Sequence, residues 1–500
     1  MKSILLVSFT IIISLIIGIL IVLLSNLDGG IILLITFLIF SFSGLTIWLR
    51  YRNHGANDPL LLFTTVFLLY NGVLSLQVAW EFANGREPLL LYPVTFSYNT
   101  FLEASITSCL ASAGLLVGTV LIMLFSSKKS LASRTYITEI SSSFFKIGLF
   151  AFLFGLLLFF LDFQRIGGFV YALSLARGVR GMLLSSLRGN LPYAPFVFVG
   201  LAMVWADYSY RRIGKFWPYL LLGIWILLML LQGDRRFLTY GILISFFTYT
   251  AIRYPKLQIK GKYIILLAVL LLTFFFFAQI RWMFPLILAG KMSLGETFKW
   301  IQNNFSLDWF IPGKNEFAGP YFTLLYSLQY SWPKEAPLLG TTYLQAIPNL
   351  LPRSLYPGEK PLGISQIFAI FIHQEYMPTR ESIIGWGYSP VAEAYNNFGF
   401  LGPFIVFFIF TICWELISRL RFKDKKGLII YSLLIPQVLN LNRIDFMWVF
   451  QEGMYFVVVG LLLLVLRSIM SSIRLSTKYF GYKSHNNIIK QSKVFRYAKN

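Results

Sequence analysis

Two pairs of arginines are the residues of this chain best suited to bind an anion. Arg177 and Arg180 stand three residues apart beside glycines, so on a helix they share one face. Arg235 and Arg236 lie in a predicted tight turn over 232–236. A guanidinium is a planar fork of donors that binds phosphate oxygens in pairs and does not lose its charge. Both patterns therefore favour a phosphate-containing ligand.

A small set of carboxylates and one histidine are the residues that could perform acid–base catalysis. Glu393 lies in the segment 389–399, and His373 and Glu375 precede it in the chain. These three residues, with Glu381, are the candidates for a base that takes the proton of an attacking hydroxyl group. The alternatives are that His373 is an ordinary surface residue and that Glu393 forms an ion pair with an arginine.

Other polar and aromatic residues would complete a site for an anion that contains sugars. Tyr395 and Asn397 either hold sugar hydroxyl groups or cap the helix that follows. The aromatic residues between positions 300 and 388 either anchor the chain at a membrane interface or form the walls of a sugar site. The expected substrate-binding residues are Arg177, Arg180, Arg235, Arg236, Arg353, Arg380, Tyr395, Asn397 and Arg443.

The motifs give no support to metal or nucleotide chemistry. The chain contains no D-x-D, H-E-x-x-H or Walker A pattern and no clustered metal-ligand spacing. Cys109 and Cys413 lie singly in apolar runs, which indicates neither a disulfide framework nor a zinc site. We therefore expect no metal and no cofactor.

Apolar runs define the elements that must carry these residues. Hydrophobic residues make up 57% of the 500 residues and charged residues only 13%, about half the charged share of a soluble protein. A helix needs ~20 apolar residues to cross a membrane. The sequence predicts an all-α, polytopic transmembrane bundle with about twelve spans, at 4–25, 31–49, 60–80, 101–125, 145–162, 191–207, 216–232, 237–252, 262–280, 400–418, 428–441 and 448–467.

The predicted spans divide the chain into four regions. Residues 1–280 hold nine spans with short loops, and the first is expected to be a retained anchor. Residues 281–399 are too polar and too rich in proline to hold a set of spans. They are predicted to form one large extracytoplasmic loop, with an amphipathic or re-entrant helix over 363–372. Residues 400–468 hold three spans, and 469–500 form a basic cytoplasmic tail.

Charge predicts the orientation of this bundle, because short cytoplasmic loops of membrane proteins are enriched in lysine and arginine. With both termini in the cytoplasm, the cytoplasmic half holds 27 basic and 5 acidic residues and the outer half holds 16 of each. The entire net charge of +22 then lies on one side. The short outer loops contain eight arginines and no lysine, which favours a ligand-binding role for these arginines over pairing with outer acids.

Three motifs give the chain a resemblance to a known family. The segment from Ser389 to Gly399 is similar to a serine-to-glycine stretch that precedes a late span in that family. Pro352-Arg353 with the proline-rich segment 357–361, and the outer turn at 233–236, look similar as well. With its many spans and one large late outer loop, the chain resembles the Wzy-type polymerases of O-antigen and other oligosaccharide repeat units.

The resemblance implies a glycosyltransferase of the bacterial cytoplasmic (inner) membrane, with the architecture of C-type membrane glycosyltransferases. The donor would be a glycan on a polyprenyl pyrophosphate such as undecaprenyl pyrophosphate, bound at the outer leaflet. The acceptor would be a hydroxyl group of a lipid-linked repeat unit, with Glu393 as the favoured base. A chain-length regulator and a flippase are implied as partners.

Two other functions fit the same sequence. An O-antigen ligase, which transfers finished glycan to a lipid acceptor, has a very similar layout. A flippase for lipid-linked oligosaccharides is disfavoured, because transporters carry charged or broken-helix sites near the bilayer midplane and often show internal repeats. The basic cytoplasmic loops and tail are expected to contact anionic membrane lipid and not nucleic acid.

Overall fold

The computed structural model is built from helices, and no strand occurs among the residues that it describes. These are residues 29–88, 90, 94–125, 144–175, 179–180, 183–184, 191–210, 213–258, 276, 280, 283–288, 290–306, 310–315, 317–333, 337–351, 356, 360–376 and 387–470. Six helices in this part are long and apolar enough to cross a membrane: Gly30–His54, Pro59–Ala83, Tyr98–Phe125, Phe145–Arg165, Pro390–Leu420 and Phe446–Met470. The chain is therefore a helical membrane protein.

The described helices are numbered in chain order. They are α1 (Gly30–His54), α2 (Pro59–Ala83), α3 (Tyr98–Phe125), α4 (Phe145–Arg165), α5 (Phe169–Ser174), α6 (Tyr193–Ser209), α7 (Phe216–Gln232), α8 (Arg235–Arg253), α9 (Met283–Leu288), α10 (Leu294–Asn304), α11 (Ala318–Tyr330), α12 (Thr341–Leu344), α13 (Ile364–Tyr376), α14 (Pro390–Phe398), α15 (Gly402–Leu420), α16 (Lys425–Asn440) and α17 (Phe446–Met470). A 3-10 turn over Gly399–Leu401 joins α14 to α15, so the two form one long span.

Helices occupy ten of the twelve predicted spans. The predicted span 4–25 lies outside the described residues, and so does most of 262–280. Six of the ten have the length and apolarity of a membrane-crossing helix, and α7 is apolar but has only 17 residues. The all-helical membrane class is confirmed, whereas the total of about twelve spans stays a prediction.

Small residues bring α4 and α6 into direct backbone contact. A Cβ atom at Gly200 would lie 2.6 Å from the backbone nitrogen of Phe152, and one at Gly155 would lie 2.8 Å from the backbone nitrogen of Val197. Membrane helices associate by such close packing. Lipid is as apolar as their side chains, so the hydrophobic effect does not drive helices together within the membrane. The two helices form the centre of an apolar cluster that also includes Trp225 of α7.

Gly200→Val is expected to loosen this helix pair, because the new side chain meets backbone atoms that cannot move aside. Overpacking of this kind costs ~1–3 kcal/mol of stability. Gly223→Val in α7 is the matched control, since nothing lies within 4 Å of a Cβ atom at that position. Thermal unfolding of the two variants in detergent measures the difference, and equal unfolding temperatures would contradict the close packing.

Helices from the predicted outer loop share one apolar core with the spans. The predicted helix over 363–372 is present as α13, and its buried Phe368 lies 6.2 Å from Phe322 of α11 and 5.8 Å from Tyr388 between ring centres. The same core cluster contains Phe407 of α15. This part of the region 281–399 is therefore built into the bundle, since α11 and α13 share one buried apolar cluster with the spans.

At the end of the bundle that is predicted to be cytoplasmic, Arg50 of α1 forms a buried ion network. Its guanidinium donates to the two carboxylate oxygens of Asp58 at 3.0 and 2.6 Å, and its Nη2 lies 2.7 Å from Glu415 of α15. Burial alone raises the pKa of Asp58, but the charge and hydrogen bonds of Arg50, together with His54 and Arg421, outweigh burial and lower that pKa to about 2. The network ties the connection between α1 and α2 to α15.

Four of the predicted cytoplasmic loops meet at this end. The contacts are Ala56 N to Leu257 O at 2.8 Å, Arg421 Nη1 to Asn57 O at 2.5 Å, and Lys425 Nζ to the ring centre of Tyr210 at 4.7 Å. They join loops 50–58, 208–215, 253–262 and 419–427, which the predicted orientation requires to share one side. The fifth loop, 127–143, lies outside the described residues. The orientation itself stays a prediction.

Candidate active site

Helix α14 carries Glu393 and has clear start and stop signals. The Oγ of Ser389 caps its N-terminus by accepting a hydrogen bond from the Val391 N–H at 3.2 Å. Pro390 occupies the first helical position, where no N–H is needed. Gly399, with φ of 64°, ends the helix. The motif that carries the family resemblance is thus one short capped helix that leads directly into α15.

Glu393 is buried, and both oxygens of its carboxylate accept hydrogen bonds. Oε1 accepts from the hydroxyl group of Thr342 in α12 at 2.8 Å. Oε2 accepts from the backbone N–H of Phe446, the first residue of α17, at 2.8 Å. The alternative prediction was an ion pair between Glu393 and an arginine. Among the described residues, the carboxylate instead contacts the Thr342 hydroxyl group and the Phe446 N–H. The carboxylate is therefore held rigidly between α12 and α17.

The asparagines of α14 support this arrangement. The Nδ2 of Asn397 donates to the Oγ1 of Thr342 at 2.8 Å and to the carbonyl oxygen of Glu393 at 2.7 Å. The Nδ2 of Asn396 donates to the hydroxyl group of Tyr388 at 2.7 Å. Asn397 thus fixes the hydroxyl group that contacts the Glu393 carboxylate, and a role for Asn397 in holding sugar stays a prediction.

The turn between α16 and α17 packs against the start of α14. The carbonyl oxygen of Arg443 accepts from the N–H of Tyr388 at 2.8 Å. Asp445 caps α17 by accepting from the N–H of Trp448 at 3.0 Å, and it also accepts from the N–H and the hydroxyl group of Ser365 at 2.8 and 2.5 Å. Burial raises the pKa of Asp445, and these hydrogen bonds oppose the rise. The turn therefore joins α13, α14 and α17.

A second polar cluster, centred on Glu452 of α17, adjoins the same turn. Its Oε2 accepts from the hydroxyl group of Tyr240 at 2.6 Å, from Asn440 Nδ2 at 3.0 Å and from Gln437 Nε2 at 3.4 Å. Its Oε1 lies 3.6 Å from the Nη1 of Arg236. Asn440 also contacts the hydroxyl group of Tyr240. Because buried polar groups need partners, this cluster holds α8, α16 and α17 in register.

Four of the predicted anion-binding arginines lie around these helix ends. Arg235 and Arg236 form the first turn of α8. Arg180 donates to the carbonyl oxygen of Gln232, the last residue of α7, at 3.2 Å. Arg443 is half-buried in the turn between α16 and α17. The junction of α7 and α8 therefore brings Arg180 to the same place as Arg235 and Arg236, although they come from separate parts of the sequence.

Among the described residues, the predicted site residues His373, Glu375 and Tyr395 are not part of this arrangement. Arg177, Arg353 and Arg380 lie outside the described residues. His373 and Glu375 lie in the last turns of α13, where Glu375 is exposed, and no contact within the described part of the chain joins either of them to Glu393. Tyr395 is half-buried against the apolar core. Their proposed roles as bases or ligands stay predictions.

The sequence did not indicate Thr342, nor Glu452 with its partners Tyr240, Gln437 and Asn440. The contact of Thr342 with Glu393 joins positions 51 residues apart, and no local pattern marks it. Gln437 and Asn440 did offer a signal, because two amides three residues apart in an apolar run share one helix face. Within the described ranges, no group of three or more His, Cys, Asp or Glu side chains could hold a metal ion.

Long apolar helices that enclose buried polar clusters place this chain in the class of helical membrane proteins. The chain matches no protein-family model, no curated protein and no solved structure to which it was compared. The likeness to the Wzy-type polymerases therefore rests on the sequence motifs and the layout of the chain.

Proposed function

We propose that this protein is a membrane glycosyltransferase that polymerises oligosaccharide repeat units linked to polyprenyl pyrophosphate into a surface polysaccharide. The observation that carries the proposal is the turn between α16 and α17, which borders the buried carboxylate of Glu393 and holds Arg443, whose charge acts on Tyr240 of α8 together with that of Arg236. Transfer of a glycan from pyrophosphate to a hydroxyl group needs both a base and fixed cations.

The proposed reaction is a displacement at the anomeric carbon of the donor glycan. A hydroxyl oxygen of the acceptor sugar forms the new bond to that carbon and loses its proton to Glu393. The bond between the carbon and the pyrophosphate oxygen breaks, and polyprenyl pyrophosphate leaves with the electron pair. Arginine side chains such as Arg443 stabilise the negative charge that develops on the leaving group.

The two hydrogen bonds of Glu393 leave it able to act on a substrate. Each carboxylate oxygen has two acceptor positions, so Thr342 and Phe446 occupy only part of its capacity. They also fix the orientation of the carboxylate, which is what a general base requires. Exclusion of water from this buried position strengthens every electrostatic interaction within it.

Arg443→Ala is expected to lower the rate of polymerisation by roughly 10²–10³-fold while the protein stays folded in the membrane. The physical reason is the loss of one fixed positive charge beside the departing pyrophosphate. Arg165→Ala is the matched control, since Arg165 is also predicted to lie on the outer side but pairs locally with Asp162 at 2.9 Å. Glycan chain length on gels of cells that carry each variant measures the effect, and equal loss in both variants would contradict a specific role for Arg443.

The proposed function is tested by the glycan that accumulates when the gene is deleted. Loss of a polymerase leaves single repeat units on the carrier lipid at the outer leaflet, and this is the expected result. Loss of an O-antigen ligase instead leaves long polymer on the carrier, and loss of a flippase leaves single units at the inner leaflet. Either of these last two products would refute the proposal and support the corresponding alternative.

A further inference from the structure

A cavity of about 490 Å³ lies between α15, α16 and α17. Apolar side chains form most of its wall, and none of the described residues that line it carries a charge. They include Val406, Phe410, Leu434, Val449 and Phe450. The volume falls within the ~300–1,000 Å³ that is usual for small-molecule sites. Charge-free walls favour a hydrocarbon occupant.

The cavity opens on the lipid-facing side of the bundle. Ile409 and Phe398 line it and are 48% and 42% exposed, and the exposed Cys413 lines it as well. Two of the three helices that form it, α15 and α17, belong to the spans that are long and apolar enough to cross a membrane. A lipid chain can therefore enter sideways from the bilayer without crossing a polar surface.

The cavity borders both polar clusters of the candidate active site, those of Glu393 and Glu452. Phe446 lines it and donates its N–H to Glu393, and Tyr343 lines it and follows Thr342 directly. Gln437 lines it and donates to Glu452 of the second polar cluster. A chain seated in the cavity would therefore hold its head group at the turn between α16 and α17.

We propose that this cavity binds the hydrocarbon chain of a polyprenyl carrier lipid, whose phosphate head lies at the turn that contains Arg443. The identity of the lipid rests on the proposed function. The anionic head would lie beside Arg443, which is three residues before the lining residue Phe446, and the uncharged chain would contact the apolar walls. A zwitterionic phospholipid also has uncharged hydrocarbon chains. Its head group, however, has no net negative charge for the arginines to bind.

A photoactivatable undecaprenyl phosphate tests this proposal in the full-length protein reconstituted into phosphatidylethanolamine and phosphatidylglycerol vesicles. Mass spectrometry is expected to find crosslinks on the cavity walls of α15, α16 and α17, and excess unlabelled undecaprenyl phosphate is expected to remove them. Ile409→Trp fills the mouth of the cavity and is expected to reduce these crosslinks about tenfold, the effect of ~1.4 kcal/mol of lost affinity.

Ile405→Trp is the matched control, because Ile405 lies one turn away on α15, is 44% exposed and does not line the cavity. It is expected to leave the crosslinks unchanged. Crosslinks spread evenly over the lipid-facing surface, equal effects of the two variants, or equal competition by phospholipid would each overturn the proposal. Crosslinking does not require the protein to be catalytically active. Labelling of the cavity without polymer formation would therefore refute only the proposed function. Polymer formation with labelling elsewhere would refute only the proposed lipid site.

Discussion

Glu393→Gln is expected to reduce polymer formation by roughly 10²–10⁴-fold, the share that a positioned general base contributes. Glutamine has the shape of glutamate, and its amide can preserve both contacts. Its oxygen accepts from the Phe446 N–H, and its NH2 group donates to the Thr342 hydroxyl group, which accepts as well as it donates. The fold is therefore retained while the proton acceptor is lost. Conversion of lipid-linked repeat units by the purified variant in vesicles measures the loss.

Glu375→Gln is the matched control for this experiment. Glu375 is a second candidate base but lies exposed at the end of α13. Its variant is expected to keep the wild-type rate. Full activity of Glu393→Gln would show that Glu393 only pins α14 to α12 and α17, and loss of activity in Glu375→Gln alone would transfer the role of base to the end of α13.

Arg50→Met is expected to destabilise the protein by about 3–5 kcal/mol, the cost of removing one partner of a buried ion pair. Methionine fills much of the same volume but leaves the buried carboxylate of Asp58 without the cation that pairs with it, and leaves Glu415, among the described residues, with Arg419 alone, at 2.7 Å. The cost arises mainly from the stranded negative charge of Asp58 and not from a cavity. Thermal unfolding in detergent, followed by the loss of monodisperse protein, measures the shift.

Arg52→Met controls for the loss of a basic residue in the same turn of α1. Arg52 is exposed and stacks 5.4 Å from the ring centre of Trp48, so its removal is expected to cost ~1 kcal/mol or less. Neutralising the acids as well, in Arg50→Met with Asp58→Asn and Glu415→Gln, is expected to recover much of the stability. If the triple variant is as unstable as Arg50→Met, stranded charge is not the cause.

The elements with strong local signals were predictable from the sequence. Apolar runs predicted the spans, and a short amphipathic pattern predicted the helix found as α13. The pairing of Arg165 with Asp162 was also within reach, because an acid three residues before an arginine on a helix faces it. Such features depend on neighbours in the chain, and periodicity is enough to find them.

The site was predictable only in part, because its geometry is made by contacts between distant segments. The residue types of Glu393 and Arg236 made both of them candidates for the site. The sequence did not indicate that Thr342 would hydrogen-bond to Glu393 or that Glu452 would pair with Arg236. The bond of Tyr240 to Glu452 joins positions 212 residues apart. The packing of α8 against α16 and α17 determines these contacts, and no local pattern encodes it.

The most direct measurement adds purified protein in vesicles to a lipid-linked repeat unit, with no nucleotide sugar, metal or other enzyme present. The glycan is then released from its lipid and sized on a gel. The proposed function predicts a ladder of repeat-unit multiples, one polyprenyl pyrophosphate released for each unit added, and no ladder with Glu393→Gln. If the wild-type protein leaves the glycan as single units while it stays folded, or if Glu393→Gln forms the same ladder, polymerisation at this site is contradicted.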